Sequence, residues 1–184
     1  GETPLLTGKT ELLGVALALP EPFEKPPGQV LPLSFSLPLG AEAMVLSLNA
    51  DNALQLALDL SDGGLKGASL AFGESNIPVK PGRLLVGGHA GLADEAQWRD
   101  FTERYFGGEN NDSVVDNGQA SDGLALEIEA LRVDRLRAWG RDFADVLLSV
   151  RQDGPGAPWW LAAENSWFKG ELNLDPDMAS GSLN

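Results

Sequence analysis

Period-two alternation constrains this chain more than any other feature. Leu13, Val15, Leu17 and Leu19 alternate with Gly14, Ala16 and Ala18. Leu31, Leu33, Phe35, Leu37 and Leu39 alternate with Pro32, Ser34, Ser36 and Pro38. Leu54, Leu56, Leu58 and Leu60 alternate with Gln55, Ala57 and Asp59. Successive strand side chains point to opposite faces, so each run reads as a strand with one apolar and one small or polar face. Further strands are expected over 44–49, 65–73, 82–90, 124–133, 144–151, 158–163 and 167–174. Turn-forming Asp51-Asn52, Asp62-Gly63-Gly64, Asp153-Gly154-Pro155-Gly156 and Asn165-Ser166 join some of them. Short connections favour antiparallel hairpins, and the crossover helices of a parallel α/β fold are missing. The expected fold is mainly β: an antiparallel meander forming a curved, twisted half-pipe sheet. Residues 1–184 read as a single β-rich segment. Pro32 and Pro38 each remove a ladder donor, which puts their strand at an edge or makes it irregular.

One short helix is expected near 94–106. Asp94 as N-cap with Gln97 three residues on resembles a capping box. Trp98, Phe101 and Tyr105 then share one helical face, and Gly107 suits the C-terminal cap. Residues 107–123 are polar and read as a flexible loop within the segment.

Charge and residue inventory narrow the function. There are 13 Lys+Arg against 27 Asp+Glu, a net charge of −14, which argues against nucleic acid and against electrostatic docking on an anionic membrane. Cysteine is absent, so thiolate chemistry is excluded. His89 is the only histidine, which leaves no two-histidine metal site and reads as structural. Glu127 and Glu129 share a strand face and read as the solvent side of a half-buried strand rather than a glycosidase pair. The oxygen-rich run holding Glu109, Asn110, Asn111, Asp112, Asp116, Asn117 and Asp122 does not follow the EF-hand order. Trp159-Trp160 and Trp167-Phe168 each put one ring on either side of a sheet. No catalytic constellation, metal or cofactor is implied.

Three stretches in order resemble a known family. The first is Glu11-Leu12-Leu13-Gly14-Val15-Ala16-Leu17-Ala18-Leu19-Pro20-Glu21-Pro22-Phe23-Glu24-Lys25. The second runs from Leu84-Leu85-Val86-Gly87-Gly88 through Leu92-Ala93-Asp94-Glu95-Ala96-Gln97-Trp98. The third contains Leu131-Arg132-Val133-Asp134-Arg135-Leu136, Trp139-Gly140-Arg141, Trp160-Leu161 and Phe168-Lys169-Gly170-Glu171-Leu172. Together they are similar to the YhdP-type, AsmA-like proteins, over most of the chain apart from the polar loop. The resemblance implies a portion towards the C-terminal end of an inner-membrane-anchored periplasmic protein of Gram-negative bacteria. It also implies a long curved sheet with an apolar groove that moves phospholipid towards the outer membrane and supports its barrier. Gly181-Ser182-Leu183-Asn184 reads as mid-strand, so the chain is expected to be a segment of a longer protein whose anchor lies outside it.

Alternation and resemblance meet at the apolar face. Its residues line a groove if the sheet stays open, or fill a core if a second layer covers them. On the groove reading the lining comprises Leu13, Val15 and Leu17, then Leu33 and Phe35, then Leu54, Leu56 and Leu58. Leu126, Ile128, Leu172 and Leu174 complete it. Gly14, Gly67, Gly87, Gly88 and Gly170 are candidates for the bends such curvature needs. The expected partners are phospholipid acyl chains. The alternative is a scaffolding β domain that binds envelope proteins through its sheet edges.

Overall fold

The structure, a computed structural model, describes residues 4–40, 44–51, 53–73, 75–106, 124–153 and 157–174. They form one open sheet whose ten strands lie side by side in sequence order. The first five strands are β1 (Leu5–Thr10), β2 (Leu33–Pro38), β3 (Val45–Ala50), β4 (Leu54–Asp59) and β5 (Gly67–Phe72). The others are β6 (Arg83–Asp94), β7 (Ala125–Ala138), β8 (Arg141–Gln152), β9 (Trp159–Glu164) and β10 (Lys169–Leu174). A single helix, α1 (Glu95–Phe106), follows β6 directly. The chain is therefore mainly β and mostly antiparallel, with one short helix, as the alternation predicts.

Three details differ from that expectation. The joins β5–β6 and β6–β7 are parallel. Each requires the chain to return to the far end of the sheet before the next strand begins. The link before β6 does so without a helix, and α1 serves the second return. Alternation reports which face a residue occupies but not the direction of its strand.

The expected strand over 13–19 is the second correction. Residues 11–32 leave the sheet as an excursion between β1 and β2, closed at its base by the Leu31 N–H donating to the Glu11 carbonyl (2.9 Å). Leu12 and Gly14 have φ of 45° and 84°, and the Val15 N–H turns back to the Leu12 carbonyl. Four prolines, Pro20, Pro22, Pro26 and Pro27, then remove ladder donors in quick succession. Within this excursion the one β-bridge is Leu17 with Lys25.

The third detail concerns β2: it is internal rather than an edge, and the irregularity its prolines imply lies where pairing with β3 stops, at Ser36. Pro32 precedes it, and Pro38 lies past the last β2–β3 pair, Ser36 with Ser47. The prolines are tolerated because no β3 partner stands opposite them.

The excursion is pinned back onto the sheet by the proline-rich part of its own motif. Phe23 inserts against Phe72 and Trp98, with ring centroids 4.9 and 6.5 Å away. Lys25 is 3% exposed, and its ammonium donates to the Val15 and Pro26 carbonyls (2.6 and 3.3 Å). That satisfies a buried cation with backbone acceptors and staples the two limbs together.

The helix forms where the capping box predicts. The Gln97 N–H donates to the Asp94 carboxylate (3.2 Å). The side-chain oxygen of Gln97 does not return to Asp94; it accepts the Glu21 N–H (2.9 Å) and so ties α1 to the excursion. Trp98 faces Phe72 at 6.1 Å and Phe101 at 5.8 Å, both edge-on. The side chain of Tyr105 lies outside the described residues.

The core sits where these pieces meet the sheet. Strands β6, β7 and β8 span 12, 14 and 12 residues, against 6 for the others, and project past them at one end. Phe72, Ala90, Leu131 and Val133 form the buried cluster there, with Phe23, Trp98, Leu136 and Leu148 packed on it. The opposite face has a smaller cover. The stretch before β6 crosses it, with the Ser69 hydroxyl donating to the Ile77 carbonyl (2.9 Å), and Leu85 is 2% exposed beneath.

Candidate functional site

Cross-strand register resolves the apolar face. One row crosses every strand: Gly8, Phe35, Leu48, Leu56 and Leu70 lead to Val86, Ile128, Val150, Leu161 and Leu172. Nine of its ten positions carry large apolar side chains, and the exception, Gly8, lies under the Phe35 ring. A second row runs through Leu46, Leu58, Ala68, Leu84 and Leu126. A third contains Leu33, Ala50, Leu54 and Phe72. Directly opposed residues share a face, so these rows form one surface.

The expected lining divides cleanly against this frame. Leu33, Phe35, Leu54, Leu56, Leu58, Leu126, Ile128, Leu172 and Leu174 all lie on the common face. Leu13, Val15 and Leu17 do not, because they belong to the excursion; Leu13 is 63% exposed there. The common face also carries residues that the expected lining does not include: Leu46, Leu48, Leu70, Leu84, Val86, Val150, Trp159 and Leu161. Their alternation is present in the sequence. Shorter runs interrupted by Ala, Gly and Ser hid which parity faces inward.

Cover over this face is uneven. α1 and Phe23 roof the projecting end of β6–β8, where Val133 and Val146 have no exposed surface. Along the row itself Phe35, Leu48, Leu56, Leu70, Val86, Ile128, Val150 and Leu161 are half-buried, while Leu172 is 53% exposed. Half-burial is what neighbouring strands alone provide when no second layer is packed on top. A cleft of about 460 Å³ borders Leu33 and Thr10, but Lys9, Glu11, Ser34 and Asn49 make its other walls polar.

The opposite face is ionic. Glu127 is only 16% exposed and is paired with Arg83 (3.1 Å) and Lys80 (3.9 Å); Lys80 also reaches Glu129 (3.4 Å). The expected solvent-side carboxylates are thus partners of a cation pair. Arg151 lies 6.0 Å from the Trp160 ring centroid, while Trp159 is on the apolar face beside Leu174. His89 is half exposed and its Nε2 lies 2.6 Å from an Asp134 carboxylate oxygen. Glu164 beside Lys169, 2.8 Å away, holds that ammonium above the ordinary lysine range.

Trp167 and Phe168 are not strand residues. Both N–H groups donate to the Asn165 side-chain oxygen in the β9–β10 turn (2.8 and 3.0 Å), and Trp167 is 90% exposed. The 107–123 stretch, with its acidic oxygen donors, lies outside the described residues. Among the described residues no three His, Cys, Asp or Glu side chains gather as a metal-holding group, and no helix is long and apolar enough to cross a membrane.

No family model, curated protein or solved structure matches this chain.

Proposed function

We propose that this chain is a non-catalytic segment of a periplasmic, inner-membrane-anchored protein of a Gram-negative bacterium, and that its apolar face guides phospholipid acyl chains between the two membranes. The row of nine large apolar side chains across ten strands carries this reading. A continuous apolar surface that crosses strands attracts acyl chains by hydrophobic transfer, roughly 25 cal/mol per Å² covered. Its lack of directional polar contacts suits a ligand that slides. The similarity of 11–25, 84–98 and 131–172 to YhdP-type, AsmA-like proteins supports the same conclusion. A photo-crosslinking amino acid at Leu56 or Ile128, with phosphatidylethanolamine vesicles, is expected to capture phospholipid. The same probe at Gln55 or Glu127, on the other face, is expected to capture little. Equal capture from both faces would remove the groove assignment.

A second reading is favoured by a separate observation. Both edge strands are exposed along nearly their whole length. A scaffolding domain that binds envelope proteins through those edges would lose its partners on proline substitution in β1 or β10, with lipid capture at Leu56 unchanged.

A further inference from the structure

The projecting end of the sheet carries aromatic rings that internal packing does not explain. We propose that Trp139, Phe143 and Arg141 form a headgroup seat for a phospholipid whose acyl chains lie on the apolar face of β8–β10. This rests on the lipid reading above and adds to it where the phosphate is held.

Trp139 is the first observation. It sits in the two-residue β7–β8 turn with φ of 51°, ahead of Gly140 at 72°, and is 83% exposed. Hairpin turns with positive φ at both central residues favour Asn, Asp or Gly at the first. A tryptophan there has an unfavourable backbone and an unburied ring, and its ring contact is an edge-on one with Phe143. Backbone strain with so little return in packing points to a ligand.

The second observation is how the rings are held. Phe143 lies edge-on to Trp139 and to Phe168 of the β9–β10 turn, with centroids 6.5 and 5.9 Å away. The Asn165 side chain anchors that turn: its amide donates to the Ala144 carbonyl (3.1 Å), and its oxygen accepts the Trp167 and Phe168 N–H groups. Phe143 stands directly opposite Leu136, which packs on the buried cluster, so the rings share the side of the apolar face. Strands β9 and β10 separate the β7–β8 turn from the last described residues, so further strands beside β10 would extend the sheet sideways from it.

Charge and shape then name the ligand. Arg137 pairs with Asp94 and Asp142, and Lys169 with Glu164. Arg141 is exposed beside the turn and forms no ion pair with another described residue. A guanidinium next to amphipathic rings matches the boundary of a phospholipid, with rings at the glycerol level and the cation at the phosphate. Below the rim, the cross-strand row Leu131, Leu148, Ala163 and Gly170 falls from large to small. A Cβ at Gly170 would meet no atom within 4 Å, so space there is open. Leu161 and Leu172 follow, on strands of six residues. Such a strand is about 20 Å long, against roughly 15 Å for half of a bilayer's hydrocarbon core, so an acyl chain fits along it.

The test places a photo-crosslinking amino acid at Leu161 and offers dioleoylphosphatidylethanolamine or dioleoylglycerol in the same non-ionic micelles. The two lipids share their acyl chains and differ in the phosphate headgroup. The parent chain should capture the phospholipid several-fold better. Arg141→Gln should lower phospholipid capture several-fold and leave diacylglycerol capture unchanged, while Arg141→Lys should keep part of the preference. Trp139→Asn gives the turn its favoured Asn-Gly pair; it should lower phospholipid capture several-fold with a urea midpoint no lower than the parent's. Millimolar inorganic phosphate should not displace the lipid, and full displacement would overturn the proposal in favour of a site for the free anion. Equal capture of both lipids by the parent chain, parallel loss of both in Arg141→Gln, or undiminished capture in Trp139→Asn would also overturn it. A probe at Leu56 separates this from the reading beneath it. No capture there removes the lipid face itself, whereas capture at Leu56 without headgroup preference at Leu161 removes the seat alone.

Discussion

At the scale of single residues, Gly88 shows what sequence does and does not disclose. It has φ of +100° at the bulge where the β6–β7 register shifts. A Cβ there would collide with the Phe72 carbonyl on β5 and approach the Ser75 hydroxyl. Gly88→Ala is therefore strained both by backbone conformation and by lack of space. It should lower stability by about 2 kcal/mol or more, read as a lower urea midpoint at unchanged slope. Gly170→Ala, with open space and ordinary φ, should be close to neutral in the same measurement. Five strand glycines looked equivalent as sources of curvature in the sequence. Their roles differ because each is set by a neighbouring strand: Gly67 admits the Lys80 carbonyl, Gly88 forms the bulge, and Gly14 is not in the sheet at all. Such information is non-local, and alternation is a local signal.

Among elements, α1 was the most legible and the excursion the least. Asp94, Gln97 and the spacing of Trp98 and Phe101 specify a helix from neighbouring residues alone, and its bounds follow. Residues 13–19 carry equally regular alternation, yet a strand exists only where a partner strand does, and Leu12, Gly14 and the prolines turn the chain away first. The apolar residues of the excursion that matter for packing are consequently not Leu13 or Val15 but Phe23, which alternation did not single out. Phe23, Phe72 and Trp98 form one aromatic cluster holding helix, excursion and sheet together. Trp98→Ala removes its central ring and should cost about 3 kcal/mol by chemical denaturation. It should also loosen the excursion, seen as faster proteolytic cleavage within 11–32 under native conditions. Loss of stability without any increase in cleavage there would mean the excursion is held by Lys25 and the Gln97–Glu21 bond alone.

Across the whole molecule, one apolar face is buried in one part and half-buried in another, and a stability measurement and a lipid measurement separate the two on the proposed function. Near the projecting ends of β6–β8 it is a core, with Leu131 at 8% exposure beneath the helix-capped cluster. Over β3 the same face is half-buried, and none of its residues belongs to that cluster. The sequence left core and groove open as alternatives because both impose the same alternation; the fold buries one part of this surface and leaves another part half-buried. Leu131→Ala should therefore cost about 2–5 kcal/mol, since it leaves a cavity among fixed neighbours. Leu48→Asn should cost less, because its side chain already meets solvent, but it interrupts the row next to Leu56 with a group that acyl chains avoid. Phospholipid capture by a photo-probe at Leu56 should fall several-fold in Leu48→Asn and stay unchanged in Leu131→Ala at temperatures where both are folded. The opposite pattern, capture tracking global stability rather than the row, would mean that lipid enters only when the sheet unfolds, and the face would then be a core along its full length.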